Sequence, residues 1–266
     1  MATRLNYALP FFEQLLLSGR NRLRSGGLAG SLPASSETKP FIIVTGAGRS
    51  GTSAVARVLH ESGVAMGAHF AEASDDNAVG FYEELPVADL NWRIMTEAGM
   101  ARSGRVPWRL TLLAVASAHG QAMKELFDST AADGWKDPGF CLTLESWLPH
   151  LARRPKVVFC LRSPEAYLHS LTRIYGYLGR EGKQRAWAKR NRRLLDVVRE
   201  YGLEATCVEY DTLVEHPEET IAHLAEFVGH PLDAKYVTPP LRRFNQPIPD
   251  EYVRLYEEVK ALGSSA

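Results

Sequence analysis

The stretch that decides the fold is FIIVTGAGRSGTS, residues 41–53. An apolar, β-branched run leads into a glycine-rich turn, and apolar residues then recur at helical spacing at Val55, Val58 and Leu59, with Gly63 as the expected stop. A buried strand, a glycine turn and a helix N-terminus in this order direct backbone N–H groups at one anion. The sequence therefore predicts a phosphate-type binding loop rather than a plain turn.

The remainder of the chain alternates between strand and helix patterns. A second apolar strand is predicted over residues 157–161, followed by a helix with Ser163 as its N-cap. A third strand is predicted over 205–210, a helix over 217–228, and a short strand around 135–136. Repeated βα units favour the α/β class, with a single P-loop-type domain whose central parallel β-sheet is flanked by helices.

Composition bounds the domain organisation. We expect residues 1–38 to form an N-terminal extension, a short helix beginning at Pro10 followed by a Gly/Ser/Pro-rich linker, and residues 39–266 to form one domain. The short helix is expected to dock on the domain or on a partner, with peripheral membrane contact or an organellar transit role as alternatives. The weakly patterned region 66–107 is expected to be an insertion or lid.

Charge and cysteine usage exclude several function classes. The 31 basic and 31 acidic residues cancel, so no overall field draws the chain to nucleic acid. No apolar run approaches the roughly 20 residues that span a bilayer, and the three cysteines form no CxxC motif, which favours a cytoplasmic protein. The eight histidines show no paired ligand spacing, so no metal site is expected.

The loop departs from the pattern of an ATP-binding loop. The Walker form needs a lysine after its last glycine, but Thr52 follows Gly51, and the cation is Arg49 inside the loop. A Walker B strand ends in an aspartate that helps to hold Mg²⁺, whereas the second strand here is followed by Arg162. Asp211 after the third strand keeps a P-loop small-metabolite kinase open as an alternative. A non-catalytic nucleotide-binding module is another.

Several motifs together resemble the PAPS-dependent sulfotransferases, in which PAPS is 3′-phosphoadenosine 5′-phosphosulfate. The residues similar to the family's 5′-phosphosulfate loop are Arg49, Ser50, Gly51, Thr52 and Ser53. Arg162 and Ser170 resemble the family's 3′-phosphate pair, at its spacing of eight residues. Tyr210, within VEYDTL, resembles the tyrosine that touches the adenine.

Two further segments resemble the bacterial-type branch of that family: residues 134–138 (GWKDP) and 80–84 (GFYEE). The combined resemblance covers about residues 41–245. The aromatic residue that often follows the loop is Ala54 here, so adenine stacking must come from elsewhere. The usual loop lysine is Arg49, as in several branches of the family.

The resemblance implies metal-independent, in-line transfer of a sulfuryl group from PAPS to an acceptor hydroxyl or amine. A sulfuryl group carries less charge than a phosphoryl group, so side-chain cations can replace Mg²⁺. Arg49 is expected at the leaving 5′-phosphate, with Lys136 approaching from the neighbouring strand end. Arg242 and Arg243 lie where the family places a basic loop near the 3′-phosphate.

The general base is expected among four residues. Glu83 is the first candidate and Glu72 the second, followed by His69 and Asp137. The basic residues of 180–199 predict an amphipathic helix with a solvated face, or else an electropositive lip that steers an anionic substrate. A sugar or glycan, a lipid head group, a small phenol and a peptide tyrosine are all open as the acceptor, and the oligomeric state is also open.

Overall fold

The structure is a computed structural model that describes residues 39–70, 80–100, 106–172, 179–237 and 248–263. Its centre is a parallel sheet with the strand order β2-β1-β3-β4. The strands are β1 Phe41–Thr45, β2 Gly134–Lys136, β3 Pro155–Leu161 and β4 Glu204–Glu209. The predicted α/β class with a central parallel sheet is therefore confirmed.

Helices cover both faces of the sheet. In the described part they are α1 Thr52–Glu61, α2 Leu85–Glu97, α3 Arg109–Ser117, α4 Gly120–Ser129, α5 Phe140–Trp147, α6 Pro164–Thr172, α7 Arg180–Glu200, α8 Tyr210–Glu215, α9 Pro217–Val228 and α10 Asp250–Lys260. Two short 3-10 helices span Leu148–His150 and Ala234–Tyr236. The predicted amphipathic helix over 180–199 is confirmed as α7, which buries Trp187 and Leu194.

The alternation of side chains along β1 divides the core into two layers. Phe41 and Ile43 pack in the larger cluster with α2 to α5, α7 and α10. Ile42 and Val44 face the opposite way, into the cluster formed with α1, α8 and α9. Because successive strand residues point to opposite faces, a continuous apolar run indicates a strand buried on both sides. The glycine loop follows directly from this buried strand, at the carboxyl end of β1.

Two sequence predictions differ from the structure. The third strand ends at Glu209, so Tyr210 begins α8 instead of ending a strand. The expectation of an insertion or lid was wrong for Leu85–Glu97, because this helix buries Val87 and Ile94 in the core. Its apolar spacing is helical, but Asn91 on the same face interrupts the pattern and conceals it.

The parallel topology places every strand's carboxyl end at one edge of the sheet. The glycine loop follows β1, Asp137 follows β2, Arg162 follows β3 and Tyr210 follows β4. Ligands of open α/β sheets bind at this edge. In the described ranges no helix is long and apolar enough to cross a membrane. The N-terminal extension 1–38 lies outside the described residues.

Candidate active site

The loop after β1 is bent tightly against its neighbours. A Cβ atom at Gly46 would lie 2.2 Å from the backbone oxygen of Cys160 on β3. Gly51 has a φ of +89°, and a Cβ atom there would lie 2.4 Å from the ring of Tyr210. Arg49 and Tyr82 are the non-glycine residues with positive φ in the described part. Backbone strain of this kind concentrates at functional sites.

The N-terminus of α1 has the features of an anion-binding position. Its N-cap, Gly51, supplies no side-chain cap, and no acidic residue lies in the first turn. Ser50 is 1% exposed, and its Oγ atom has no hydrogen-bond partner among the described residues. A helix N-terminus without a side-chain cap, a favourable helix dipole and the Ser50 hydroxyl, which has no partner among the described residues, fit an anionic ligand at this position.

Arg162 points towards the loop, as the sequence predicted. Its Nη1 atom donates to the backbone oxygen of Arg49 at 3.3 Å, and its guanidinium carbon lies 4.7 Å from the centre of the Tyr210 ring. Its Nε atom is buried and has no hydrogen-bond partner in the described ranges. Burial lowers the pKa of Arg162, while the nearby Asp211 carboxylate opposes that change. This cation is therefore held partly desolvated beside the loop.

Ser170 lies at the same place, on α6. The Nε atom of Arg49 donates to its Oγ atom at 3.0 Å. Among the described residues, the loop, Arg162, Ser170 and Tyr210 thus meet at one edge of the sheet. Arg242 and Arg243 lie outside the described residues.

Lys136 approaches the loop from the other side, at the end of β2. It is 1% exposed, and its Nζ atom donates to Ser53 Oγ at 3.1 Å and to the backbone oxygen of Phe81 at 3.0 Å. The same Nζ atom lies 2.5 Å from Glu83 Oε1. The structure thus brings together the two residues that the sequence predicted as a catalytic cation and a general base.

The other base candidates have different surroundings. His69 pairs with Glu84 at 3.1 Å, and its side chain is 76% exposed. Asp137 is buried and accepts a hydrogen bond from the backbone N–H of Gly139 at 2.8 Å. Burial raises the pKa of Asp137 to about 6, and the charge of Glu83 adds to the rise. Glu72, the second candidate, lies outside the described residues.

Sequence reasoning missed Asn91, a fully buried residue of α2 that holds Asp137 in place. Its Nδ2 atom donates to Asp137 Oδ2 at 2.6 Å, and its Oδ1 atom accepts from Thr143 Oγ1 at 2.7 Å and from Trp147 Nε1 at 2.8 Å. Because an indole N–H can only donate, the amide orientation is fixed. The available signal was a polar residue on the apolar face of a helix.

The charges at this edge of the sheet differ from those of a Mg²⁺-nucleotide site. Asp211, the carboxylate of the kinase alternative, lies in the first turn of α8. Burial raises its pKa, and the guanidinium of Arg162 acts against this rise. In the part of the chain that the structure describes, no group of three or more His, Cys, Asp or Glu side chains could hold a metal ion.

The fold and the site define a class, an α/β protein in which a glycine loop and the side-chain cations Arg162 and Lys136 meet at the carboxyl ends of a parallel sheet. A family model described as the sulfotransferase family matches residues 40–234, so the chain belongs to the sulfotransferase family. Sulfuryl transfer is accordingly its function, and the P-loop kinase alternative is not favoured.

Two solved structures are similar to this chain. One is the sulfotransferase domain of the Synechococcus PCC 7002 olefin synthase, with 18% identity, a TM-score of 0.45, and coverage of 88% of this chain and 90% of that one. The other is the sulfotransferase domain from the curacin biosynthetic pathway, with 15% identity, a TM-score of 0.47, and coverage of 85% and 92%. A comparison with curated proteins gave no significant match.

Proposed function

We propose that the sulfuryl donor is PAPS and that the acceptor is a hydroxyl or amine of a small molecule, glycan or lipid head group. The observation that carries the donor assignment is the position of Arg162 beside the loop, stacked on Tyr210 with a buried Nε atom that has no described partner. A nucleotide with two ribose-borne phosphates needs two anion sites. The α1 N-terminus fits the 5′ side, and Arg162 with Ser170 fits the 3′ side.

The adenine is assigned to the side of the loop that faces Tyr210. Gly51 and Tyr210 lie so close that a Cβ atom at position 51 would be 2.4 Å from the tyrosine ring. The ring therefore packs directly against the loop backbone. Arg162 lies over the ring of the same tyrosine. We assign to Arg242 and Arg243 an additional role near the 3′-phosphate, as the sequence predicted.

Lys136 is assigned to the charge that develops on the leaving oxygen. Its Nζ atom lies 3.1 Å from Ser53 Oγ, in the first turn of α1, so it acts beside the proposed 5′-phosphate site. When bound, PAPS supplies an activated sulfuryl group. A buried cation stabilises a developing anion more strongly than a solvated one, because little water screens the interaction.

Glu83 is assigned as the general base. The acceptor O–H or N–H loses its proton to the Glu83 carboxylate while the new bond to sulfur forms and the bond from sulfur to the phosphate oxygen breaks. The carboxylate is 21% exposed, so an acceptor can reach it, whereas Lys136 beneath it is 1% exposed. The proton thus goes to Glu83, the sulfuryl group goes to the acceptor, and the electron pair of the broken bond stays on the phosphate oxygen, beside Lys136.

The donor assignment is tested with the full chain and adenosine 3′,5′-bisphosphate in a thermal-shift measurement without Mg²⁺. At a hundredfold excess over Kd, binding stabilises the folded state by about 2.7 kcal/mol, a rise in Tm of roughly 5–11 °C for a chain of this size. No shift with the bisphosphate, alongside a clear shift with Mg-ATP, contradicts the assignment. Bisphosphate binding with no transfer of labelled sulfate to any acceptor in a panel identifies a non-catalytic module.

A further inference from the structure

Glu84, the residue that follows the proposed base, joins the segment 80–84 to the segment 67–70. Its Oε2 atom accepts from the backbone N–H of Ala68 at 2.6 Å and from that of His69 at 3.0 Å, and its Oε1 atom lies 3.1 Å from His69 Nδ1. An ionised carboxylate can only accept hydrogen bonds, so His69 Nδ1 is the donor. One side chain thus takes three hydrogen bonds from two neighbouring residues.

The backbone on both sides is arranged for this contact. Glu84 is the N-cap residue of α2, yet its side chain makes no cap hydrogen bond to that helix. Leu85 N–H donates to His69 O at 2.8 Å, and Phe70 pairs with Glu84 in an antiparallel bridge. A Cβ atom at Gly67, whose φ is +135°, would lie 2.3 Å from Glu84 Oε2, so a larger residue there would displace the carboxylate. The side chain at the start of α2 therefore holds the neighbouring segment instead of the helix.

The carboxylate of Glu84 is held in its charged form. Its side chain is only 12% exposed, and burial on its own would raise the pKa. The hydrogen bonds from His69 and Ala68 outweigh burial and lower the pKa of Glu84 below its usual value. Hydrogen bonds to a charged group are stronger than those between neutral groups, so this carboxylate is a firm link between the two segments.

The side chains of residues 82–84 contact three different parts of the protein. Tyr82 has a φ of +54°, and its hydroxyl donates to Glu61 Oε1 on α1 at 2.9 Å. Glu83 pairs with Lys136 on β2, and Glu84 accepts from the segment 67–70. Residues 80–83 belong to no helix or strand, so contacts of this kind determine where the Glu83 carboxylate lies. The proposed base is thus anchored through the residue on each side of it.

We infer that Glu84 is a positioning residue for sulfuryl transfer: its link to Ala68 and His69 holds Glu83 where it can accept the proton of the acceptor. The inference rests on the proposed role of Glu83 as the base. Glu84 acts through Glu83 and needs no contact with either substrate, and His69 serves as a partner of this link. Loss of the link frees the segment 80–84, and a displacement of about 1 Å at a catalytic group can lower the rate about 10²-fold.

The test measures single-turnover transfer of labelled sulfate from PAPS by the full chain, with the compound of the acceptor panel that the wild type sulfates fastest. Glu84→Ala is expected to lower the transfer rate about 10- to 100-fold and to change the Kd of adenosine 3′,5′-bisphosphate, measured by calorimetry, less than about threefold. Glu84→Gln should recover most of the rate, because its amide oxygen still accepts from the two backbone N–H groups.

Glu97→Ala is the matched control, because it also removes a carboxylate paired with a histidine, His119, but at the other end of α2. Its transfer rate should match that of the wild type. The double variant of Glu84→Ala with Glu83→Gln separates positioning from a general structural role. If Glu84 acts through Glu83, its removal should cost less than about threefold once Glu83→Gln is present.

An equal loss from Glu84→Ala with and without Glu83→Gln overturns the inference, and so does a wild-type rate in Glu84→Ala. Full activity in Glu83→Gln alone, or no turnover by the wild type on any acceptor of the panel, contradicts the proposed function itself, and the inference fails with it. These two results are obtained before any Glu84 variant is measured, so the two kinds of failure are distinguishable.

Thermal unfolding without ligand verifies that Glu84→Ala is folded. Should that variant not fold, Glu84→Asp serves instead. Aspartate is a preferred N-cap residue whose shorter side chain can accept from the first turn of α2, which maintains the helix but withdraws the carboxylate from Ala68 and His69. The same selective loss of transfer rate is expected, and a wild-type rate in Glu84→Asp overturns the inference.

Discussion

Glu83 Oε1 lies 2.5 Å from Lys136 Nζ, although 53 residues separate the two in the sequence. The ion pair joins the end of β2 to the segment just before α2. Lys136 also donates to the backbone oxygen of Phe81, so this one side chain positions both the main chain and the carboxylate of that segment. The loop-side cation and the proposed base are therefore a single structural unit.

The first prediction concerns the carboxylate of this pair. Glu83→Gln keeps the size of the side chain and an oxygen that can accept from Lys136, but it removes the proton acceptor. We expect kcat to fall by about 10²- to 10⁴-fold, the usual contribution of a general base, while the Kd of adenosine 3′,5′-bisphosphate stays within about threefold. Turnover with labelled PAPS and calorimetry measure the two quantities.

The control for this variant lies on the following helix. Glu97→Gln makes the same chemical change at the far end of α2, where Glu97 pairs with His119 at 2.8 Å. Its kcat should match that of the wild type. Full activity in Glu83→Gln contradicts the assignment of Glu83 as the base. The next variant to measure is then Asp137→Asn, since Asp137 is the buried carboxylate among the other candidates.

The second prediction concerns the coupling between the two partners. Lys136→Met leaves the Glu83 carboxylate without its closest cation, whereas the double variant with Glu83→Gln removes both charges. Residues in direct contact typically show coupling energies of about 0.5–3 kcal/mol. We expect the double variant to be more stable towards urea than the sum of the single effects, because neither charge is then left unpaired.

The same cycle in activity is expected to be non-additive, with the double variant about as slow as the slower single variant. Urea unfolding followed by circular dichroism gives the stability arm, and single-turnover transfer gives the kinetic arm. Strict additivity in both arms shows that the short Glu83–Lys136 contact does not couple the two residues in solution.

The proximity of Arg162 and Ser170 to the loop could be predicted from the sequence because both residues belong to regular elements or directly follow them. Arg162 follows a strand of seven residues, and Ser170 lies eight positions later on the next helix, so parallel topology alone brings them to the loop. The positions of β1 and β3 along the chain required no long-range information, since the apolar runs define both strands directly.

The arrangement around Glu83 and Lys136 was less accessible, for a physical reason. Glu83 lies in irregular chain, where Lys136 contacts both its carboxylate and the backbone oxygen of Phe81, and no periodic pattern marks its position. Asn91 interrupts the apolar face of α2, which concealed both the helix and the polar network beneath Asp137. Hydrogen-bond networks of this kind are set by tertiary packing, and one sequence carries little sign of them.

The third prediction concerns the ionisation of Asp137. Burial, supported by the charge of Glu83, raises its pKa from 3.8 to about 6. Because the pKa in the folded state lies above the unfolded value, the contribution to stability is complete below pH 3.8 and is lost as the pH rises through about 6. The shift corresponds to roughly 3 kcal/mol between these limits.

The measurement is a carbon-detected NMR titration of the Asp137 carboxyl signal, which is assigned by its disappearance in Asp137→Asn. We expect a midpoint near pH 6 in the wild type and a lower one in Glu83→Gln, because that variant removes the neighbouring negative charge. A midpoint near the ordinary aspartate value in both proteins rejects the prediction. An unchanged raised midpoint in Glu83→Gln assigns the whole effect to burial.

The last prediction compares two glycines of the loop that differ in what surrounds them. Gly51 has a φ of +89°, and an added Cβ atom would lie 2.4 Å from the Tyr210 ring, whereas a Cβ atom at Gly48 would lie 3.8 Å from Pro138. Gly51→Ala therefore combines a left-handed backbone, which costs about 1–2 kcal/mol, with a steric clash. We expect a loss of more than about 2 kcal/mol in the free energy of unfolding, and less than about 1 kcal/mol for Gly48→Ala.

Urea unfolding of both variants measures this difference. Relief of the clash at position 51 requires the ring of Tyr210 to move, and Arg162 lies over that ring at 4.7 Å. Gly51→Ala should therefore also weaken binding of adenosine 3′,5′-bisphosphate through Arg162, even though position 51 carries no side chain that contacts a ligand. Equal stability of the two variants contradicts the prediction, because it shows that neither the left-handed backbone at position 51 nor the Tyr210 ring opposes a methyl group there.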